Sequence, residues 1–121
     1  MTSTAHQHSV STARFAGRVI VKAAGETVAD SRDAVVLHED GYKPVFYVPK
    51  SDVRKEQLQP TEHTNRCLHK GAARYWTLKV GERTIENAAW AYDEPLSGAA
   101  DIAGLVAFYP DKVDVIEATG L

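Results

Sequence analysis

Three observations predict a mainly β, antiparallel domain. Short β-branched and aromatic runs recur at even spacing along the chain, each cut by a glycine or proline turn. The best of them, Ala72 to Val80, alternates in the strand period, with Trp76, Leu78 and Val80 on one face and Tyr75, Thr77 and Lys79 on the other. Only two segments carry helix-start chemistry, and both are short.

Taken in order, Met1 to Arg14 holds almost no large apolar residue, so residues 1–14 are expected to form a disordered tail ahead of a domain over 15–121. Arg18 to Ala23 is β-branched and pairs across Ala24-Gly25 with Glu26 to Asp30, where Gly25 supplies the positive φ of a tight hairpin. Ala34 to His38 is a third strand, ended by Glu39-Asp40-Gly41. Lys43 to Val48 is a fourth, with Pro44 at its start and Pro49 at its end. Ser51 caps a short helix over Asp52 to Leu58, and Pro60 to Asn65 reads as loop.

After the central strand Gly81 turns the chain into Asn87 to Tyr92, with Ala88, Trp90 and Tyr92 on one face. Ser97 caps a second short helix, Gly98 to Ala103, and Gly104 suits its C-terminal end. Leu105 to Tyr109 and Val113 to Glu117 are the last strand pair, joined by a turn centred on Pro110-Asp111. Trp76 is expected in the core and Tyr75 facing away from it.

The totals bound the function. A chain of 121 residues is expected to form one domain. A net charge of −2 argues against a dedicated nucleic-acid binder. One cysteine precludes an intramolecular disulfide. No apolar run approaches the roughly 20 residues that span a bilayer, and the Ser/Thr/His-rich start lacks a signal-peptide core. The expectation is a cytoplasmic protein with neither a membrane nor a nucleic-acid partner, its oligomeric state left open.

The chemistry gathers around Cys67 to Trp76. Cys67 is a candidate nucleophile with Lys70 three residues on to lower its pKa and His63 or His69 near in sequence as a base; the alternative is a small buried side chain. His63, Cys67 and His69 are zinc-ligand types, but their spacing matches no zinc motif, so no metal and no cofactor are expected. No acidic residue has another two positions on, and no phosphate-binding glycine loop occurs. Asp52, Arg54 and Glu62 read as surface charges. Tyr47, Tyr75, Trp76, Trp90 and Tyr92 lie on strands around the central stretch; Trp76 and Trp90 read as core, and the alternative is the wall of a pocket for a flat ligand.

Val45-Phe46-Tyr47-Val48-Pro49, Cys67 with Lys70-Gly71, Tyr75, Ala89-Trp90-Ala91-Tyr92 and Ala103-Gly104-Leu105-Val106-Ala107-Phe108-Tyr109-Pro110 together resemble the family catalogued as domain of unknown function 427, over about Arg18 to Glu117. The resemblance implies two small antiparallel sheets in a tent-like arrangement, similar in shape to the thalidomide-binding domain of cereblon and to methionine sulfoxide reductase B. Those relatives commonly hold zinc through paired Cys-x-x-Cys motifs, which a single cysteine cannot supply. The family also carries a nucleotidyltransferase-like label. The expected function is therefore binding of a flat, nucleoside-like small molecule by Tyr47, Cys67, Lys70, Tyr75 and Tyr92. The alternative is an enzyme, either nucleotidyltransferase-like or acting covalently through Cys67 or Lys70. Elemental analysis of the untagged protein is expected to find no stoichiometric zinc; one tightly held zinc per chain would overturn this.

Overall fold

The computed structural model describes residues 10–67, 71–95 and 97–120. In chain order the first strands are β1 (Val10–Arg14), β2 (Gly17–Ala23), β3 (Glu26–Ser31), β4 (Val35–Glu39) and β5 (Val45–Tyr47). They are followed by β6 (Leu58–Cys67), β7 (Gly71–Val80), β8 (Arg83–Ala91), β9 (Val106–Phe108) and β10 (Val115–Gly120). Among the described residues all strand–strand pairings are antiparallel and form three sheets, ordered β1-β4-β5, β10-β2-β3 and β6-β7-β8-β9. The protein is thus mainly β, with three small sheets where the resemblance implies two. No helix among the described residues is long and apolar enough to cross a membrane.

Most strands follow their residues. Ala24 and Gly25 both take positive φ, +50° and +80°, as a two-residue type I′ hairpin between β2 and β3 requires. Gly104 takes φ +73° after the Ser97–Ile102 segment, and its N–H donates to the Tyr92 carbonyl.

Further expectations about individual segments need correction, most of them because of a tertiary contact. Val10–Arg14, assigned to the tail, form β1 because the chain pairs with β4, while Val10 packs against a core cluster and Thr12 hydrogen-bonds Asp101 at 2.8 Å. The helix over 52–58 is replaced by two 3-10 turns, Lys50–Asp52 and Lys55–Gln57. Between them Val53 is buried and extended, bridging to Ala29, and the Arg54 N–H donates to the Val28 carbonyl. Pairing with β3 outweighs the weak local helix preference, and Ser51 caps nothing. The second expected helix is a kinked 3-10 segment. Pro60–Asn65 belong to β6 rather than to a loop, because β7 supplies their pairing. Finally, the C-terminal strand β10 pairs with β2 and not with the strand before it. Asp114 directs this crossing: its N–H donates to the Lys22 carbonyl and its carboxylate accepts from the Gly25 N–H.

β7 divides the interior. Trp76, Leu78 and Val80 pack with Val19, Val21, Val28 and Phe108 in a first core, between the β10-β2-β3 sheet and one face of the four-stranded sheet. Ala73 and Tyr75, from the opposite face of β7, join Leu37, Tyr47, Tyr92 and Ile102 in a second core beneath the β1-β4-β5 sheet. Tyr75 therefore faces away from the Trp76 core, as the alternation predicts, yet it is buried in its own right. On β8 the predicted faces hold less well: Ala88 follows the positive-φ residue Asn87 and packs with Ala89 and Ala91 in the first core.

Trp76 is 4% exposed and lies under two cations, the Arg74 guanidinium at 4.7 Å and the Lys50 ammonium at 5.3 Å from ring centroids. Trp76→Ala is expected to cost about 3–5 kcal/mol of stability, as large-to-small core changes do. Urea unfolding measures this, and a loss below about 1 kcal/mol would place the indole outside the core.

Candidate functional site

The second core opens on one side into a cleft, and aromatic side chains build it. Two backbone hydrogen bonds between Val48 and Val106, both 2.8 Å, tie the end of β5 to β9 and so join two sheets at that point. This brings Tyr47, the last residue of β5, against Trp90 of β8. Trp90 stands directly opposite Tyr75 in the β7–β8 register and opposite Ala107 in the β8–β9 register. Tyr92 lies just beyond β8 and Tyr109 just beyond β9.

The rings are locked to one another. Trp90 Nε1–H donates to the Tyr47 hydroxyl at 3.2 Å, with the rings edge to face. The Tyr109 hydroxyl donates to the Tyr75 hydroxyl at 3.1 Å, and these two rings are within 10° of parallel. Tyr109 also lies against Trp90, with ring centroids 4.4 Å apart. His63 of β6 packs against Tyr75, with ring centroids 4.5 Å apart. Offset and edge contacts of this kind are the favoured aromatic geometries.

The cleft encloses about 360 Å³. Tyr47, Tyr75, Trp90, Tyr92 and Tyr109 form its aromatic wall, and Glu39, Tyr42, Lys43 and Asn65 contribute polar atoms to the lining. A larger hollow of about 500 Å³ lies between Phe15, Ile20 and Thr119, but two of its arginines are already engaged: Arg14 with Asp33 at 2.7 Å and Arg18 with both carboxylate oxygens of Asp30. The aromatic cleft is the richer in groups that recognise a ligand.

Three of the five expected ligand-binding residues, Tyr47, Tyr75 and Tyr92, line this one cleft. All three are more than nine-tenths buried, so they serve as core and as cleft wall at once. Lys70 and His69 lie outside the described residues. The Cys67 backbone pairs with Gly71 at the end of the β6–β7 ladder, and its side chain lies outside the described residues. Asp52 and Arg54 stay away from the cleft: Asp52 accepts a 2.7 Å hydrogen bond from Ser31, and Arg54 sits 3.8 Å from Glu26. Among the described residues no three His, Cys, Asp or Glu side chains come together that could hold a metal ion.

For Trp90 the sequence favoured the core, with a pocket wall as the alternative; the side chain is only half-buried and lines the cleft. Tyr42 and Tyr109, which also line it, were not singled out as site residues. Tyr109 carried a signal: in strand alternation it shares a face with Ala107, which belongs to the second core.

Burial, above all, holds the Tyr109 hydroxyl well above the usual phenol range, and its hydrogen bond with Tyr75 adds to this. The neutral form is therefore the one the cleft keeps.

A family model described as a domain of unknown function (DUF427) matches residues 11–119. That span covers most of the chain, and the chain belongs to this family. No curated protein matches it.

The Tyr109 environment makes a pH dependence. Folded Tyr109 keeps its proton at pH values where the unfolded side chain, with a pKa of about 10, releases it. Its contribution to stability is full below pH ~10 and is lost as pH rises through the folded value. Denaturant unfolding across that range is expected to reveal the fall, and Tyr109→Phe to flatten it. An identical slope in the variant would show that Tyr109 does not carry it.

Proposed function

We propose that this member of the family is a small-molecule binding domain whose aromatic cleft takes a flat, nucleoside-like ring. One observation carries the reading: Tyr47, Tyr75, Trp90, Tyr92 and Tyr109, from separate strands and their ends, converge on a single open cleft. Its volume, about 360 Å³, lies in the range of small-ligand sites. The hydrogen bonds between the rings hold the wall in place before a ligand arrives, which lowers the entropic cost of binding. Planar rings offer stacking, and hydroxyl and amide groups at the lining offer orientation. In this reading Lys70, which the chain order puts between β6 and β7, contributes a cationic group, and Cys67 is not essential. The enzyme alternative, nucleotidyltransferase-like or covalent through Cys67 or Lys70, draws on the same place in the chain.

Ligand-observed NMR with adenosine and guanosine is the direct test. Saturation transfer to the base protons is expected, together with a change in Trp90 fluorescence that Trp90→Phe removes. Lys70→Ala is expected to weaken binding, and Cys67→Ser to leave it intact. Absence of any nucleoside signal at millimolar concentration would overturn the reading. Alkylation of Cys67 faster than a free thiol at pH 7 would favour the covalent enzyme instead.

A further inference from the structure

Next to the aromatic cleft, on the same face of the four-stranded sheet, lies a groove of about 340 Å³ with a different character. Gln59, Thr61, His63, Thr77, Glu86 and Asn87 line it. The two sites adjoin strand by strand. On β6 Asn65 lines the cleft and His63 the groove; on β7 Tyr75 lines the cleft and Thr77 the groove; on β8 Trp90 lines the cleft and Asn87 the groove. The His63 ring, resting on Tyr75, sits at the boundary.

The sheet is irregular at this place and regular on either side. Between the pairs Pro60↔Trp76 and Thr64↔Arg74, residues Thr61, Glu62 and His63 stand opposite Tyr75 alone. Between Leu78↔Ile85 and Trp76↔Ala89, residues Glu86, Asn87 and Ala88 stand opposite Thr77 alone. Both neighbours of β7 therefore bulge at adjacent positions, and bulges re-aim side chains and gather at sites. Asn87 takes φ +50°, a strained conformation inside a strand that asparagine tolerates better than most residues.

Side chains then replace the interrupted ladder. The Asn87 N–H donates to the Thr77 hydroxyl at 3.3 Å, and the Thr61 hydroxyl donates to Asn87 Oδ1 at 3.0 Å. The Thr61 oxygen also accepts from the His63 N–H. These bonds fix the Asn87 amide and leave its Nδ2 hydrogens without a partner among the described residues. Among the described residues the groove has no lysine or arginine in its lining, and its one carboxylate, Glu86, disfavours a phosphate. Hydroxyls and amides, with one imidazole and one carboxylate, match the hydroxyl groups of a sugar.

We infer that the groove is a second subsite, which holds the polyhydroxylated part of a ligand whose flat ring lies in the aromatic cleft. This rests on the proposed ring-binding cleft and names what is attached to the ring: a neutral sugar, not a phosphate. The test compares adenine, adenosine and adenosine monophosphate by titration of the full chain. Adenosine is expected to bind about tenfold tighter than adenine, the size of one or two good hydrogen bonds. The monophosphate is expected to bind no tighter than adenosine. Asn87→Gly keeps the positive φ and removes the amide; it should erase the advantage of adenosine while leaving adenine unchanged. Equal binding of adenine and adenosine, unaltered by Asn87→Gly, would overturn the subsite and leave the cleft standing. A monophosphate that binds tighter than adenosine would likewise refute the sugar assignment. Failure of all three to bind would overturn both subsite and cleft.

Discussion

Strand β7 is buried on both faces, and the rest of the molecule depends on that. A strand sends alternate side chains to opposite sides, so one strand with buried apolar residues on each face can serve two cores. Trp76, Leu78 and Val80 hold the β10-β2-β3 sheet, and Ala73 and Tyr75 hold the β1-β4-β5 sheet. A slip of one residue would exchange Tyr75 with Trp76 and ruin both packings. β9 repeats the arrangement on a smaller scale, with Val106 and Phe108 in the first core and Ala107 in the second.

The two cores differ in kind. The first is mostly aliphatic, around the Trp76 indole and the Phe108 ring. The second is built from tyrosines, whose hydroxyls must find partners when buried. Tyr47 accepts from Trp90 and Tyr75 from Tyr109, so the hydroxyls are satisfied at the edge of the core where the cleft begins. A core of phenols pinned at its rim leaves ring faces and polar atoms at an opening. The cleft follows from the residue types in the second core, and the Val48–Val106 bridge decides where it opens.

Ala72 to Val80 was legible as the central strand because its alternation is unbroken, and the β2–β3 hairpin because Gly25 marks its turn. Tyr47, Tyr75 and Tyr92 were legible as site candidates for a similar reason: aromatic rings with polar tips on short strands mark themselves. Val10–Arg14 and Pro60–Asn65 were not legible. Their residues lack an apolar stripe, and they become strands only because β4 and β7 offer unpaired backbone.

Local sequence determined the strand periods, the turn positions at Gly25, Gly41, Gly81 and Gly104, and the mainly β class. These rest on backbone conformation and side-chain alternation, which act over a few residues. Tertiary structure alone decided the third sheet, the pairing of β10 with β2, the extended backbone at Val53, and the meeting of Trp90 with Tyr47 and Tyr109. Each of these joins residues far apart in the chain, through hydrogen bonds and ring contacts that no local pattern records. The paired bulges belong here too: Asn87 and Thr61 replace missing ladder bonds only where β6, β7 and β8 lie side by side.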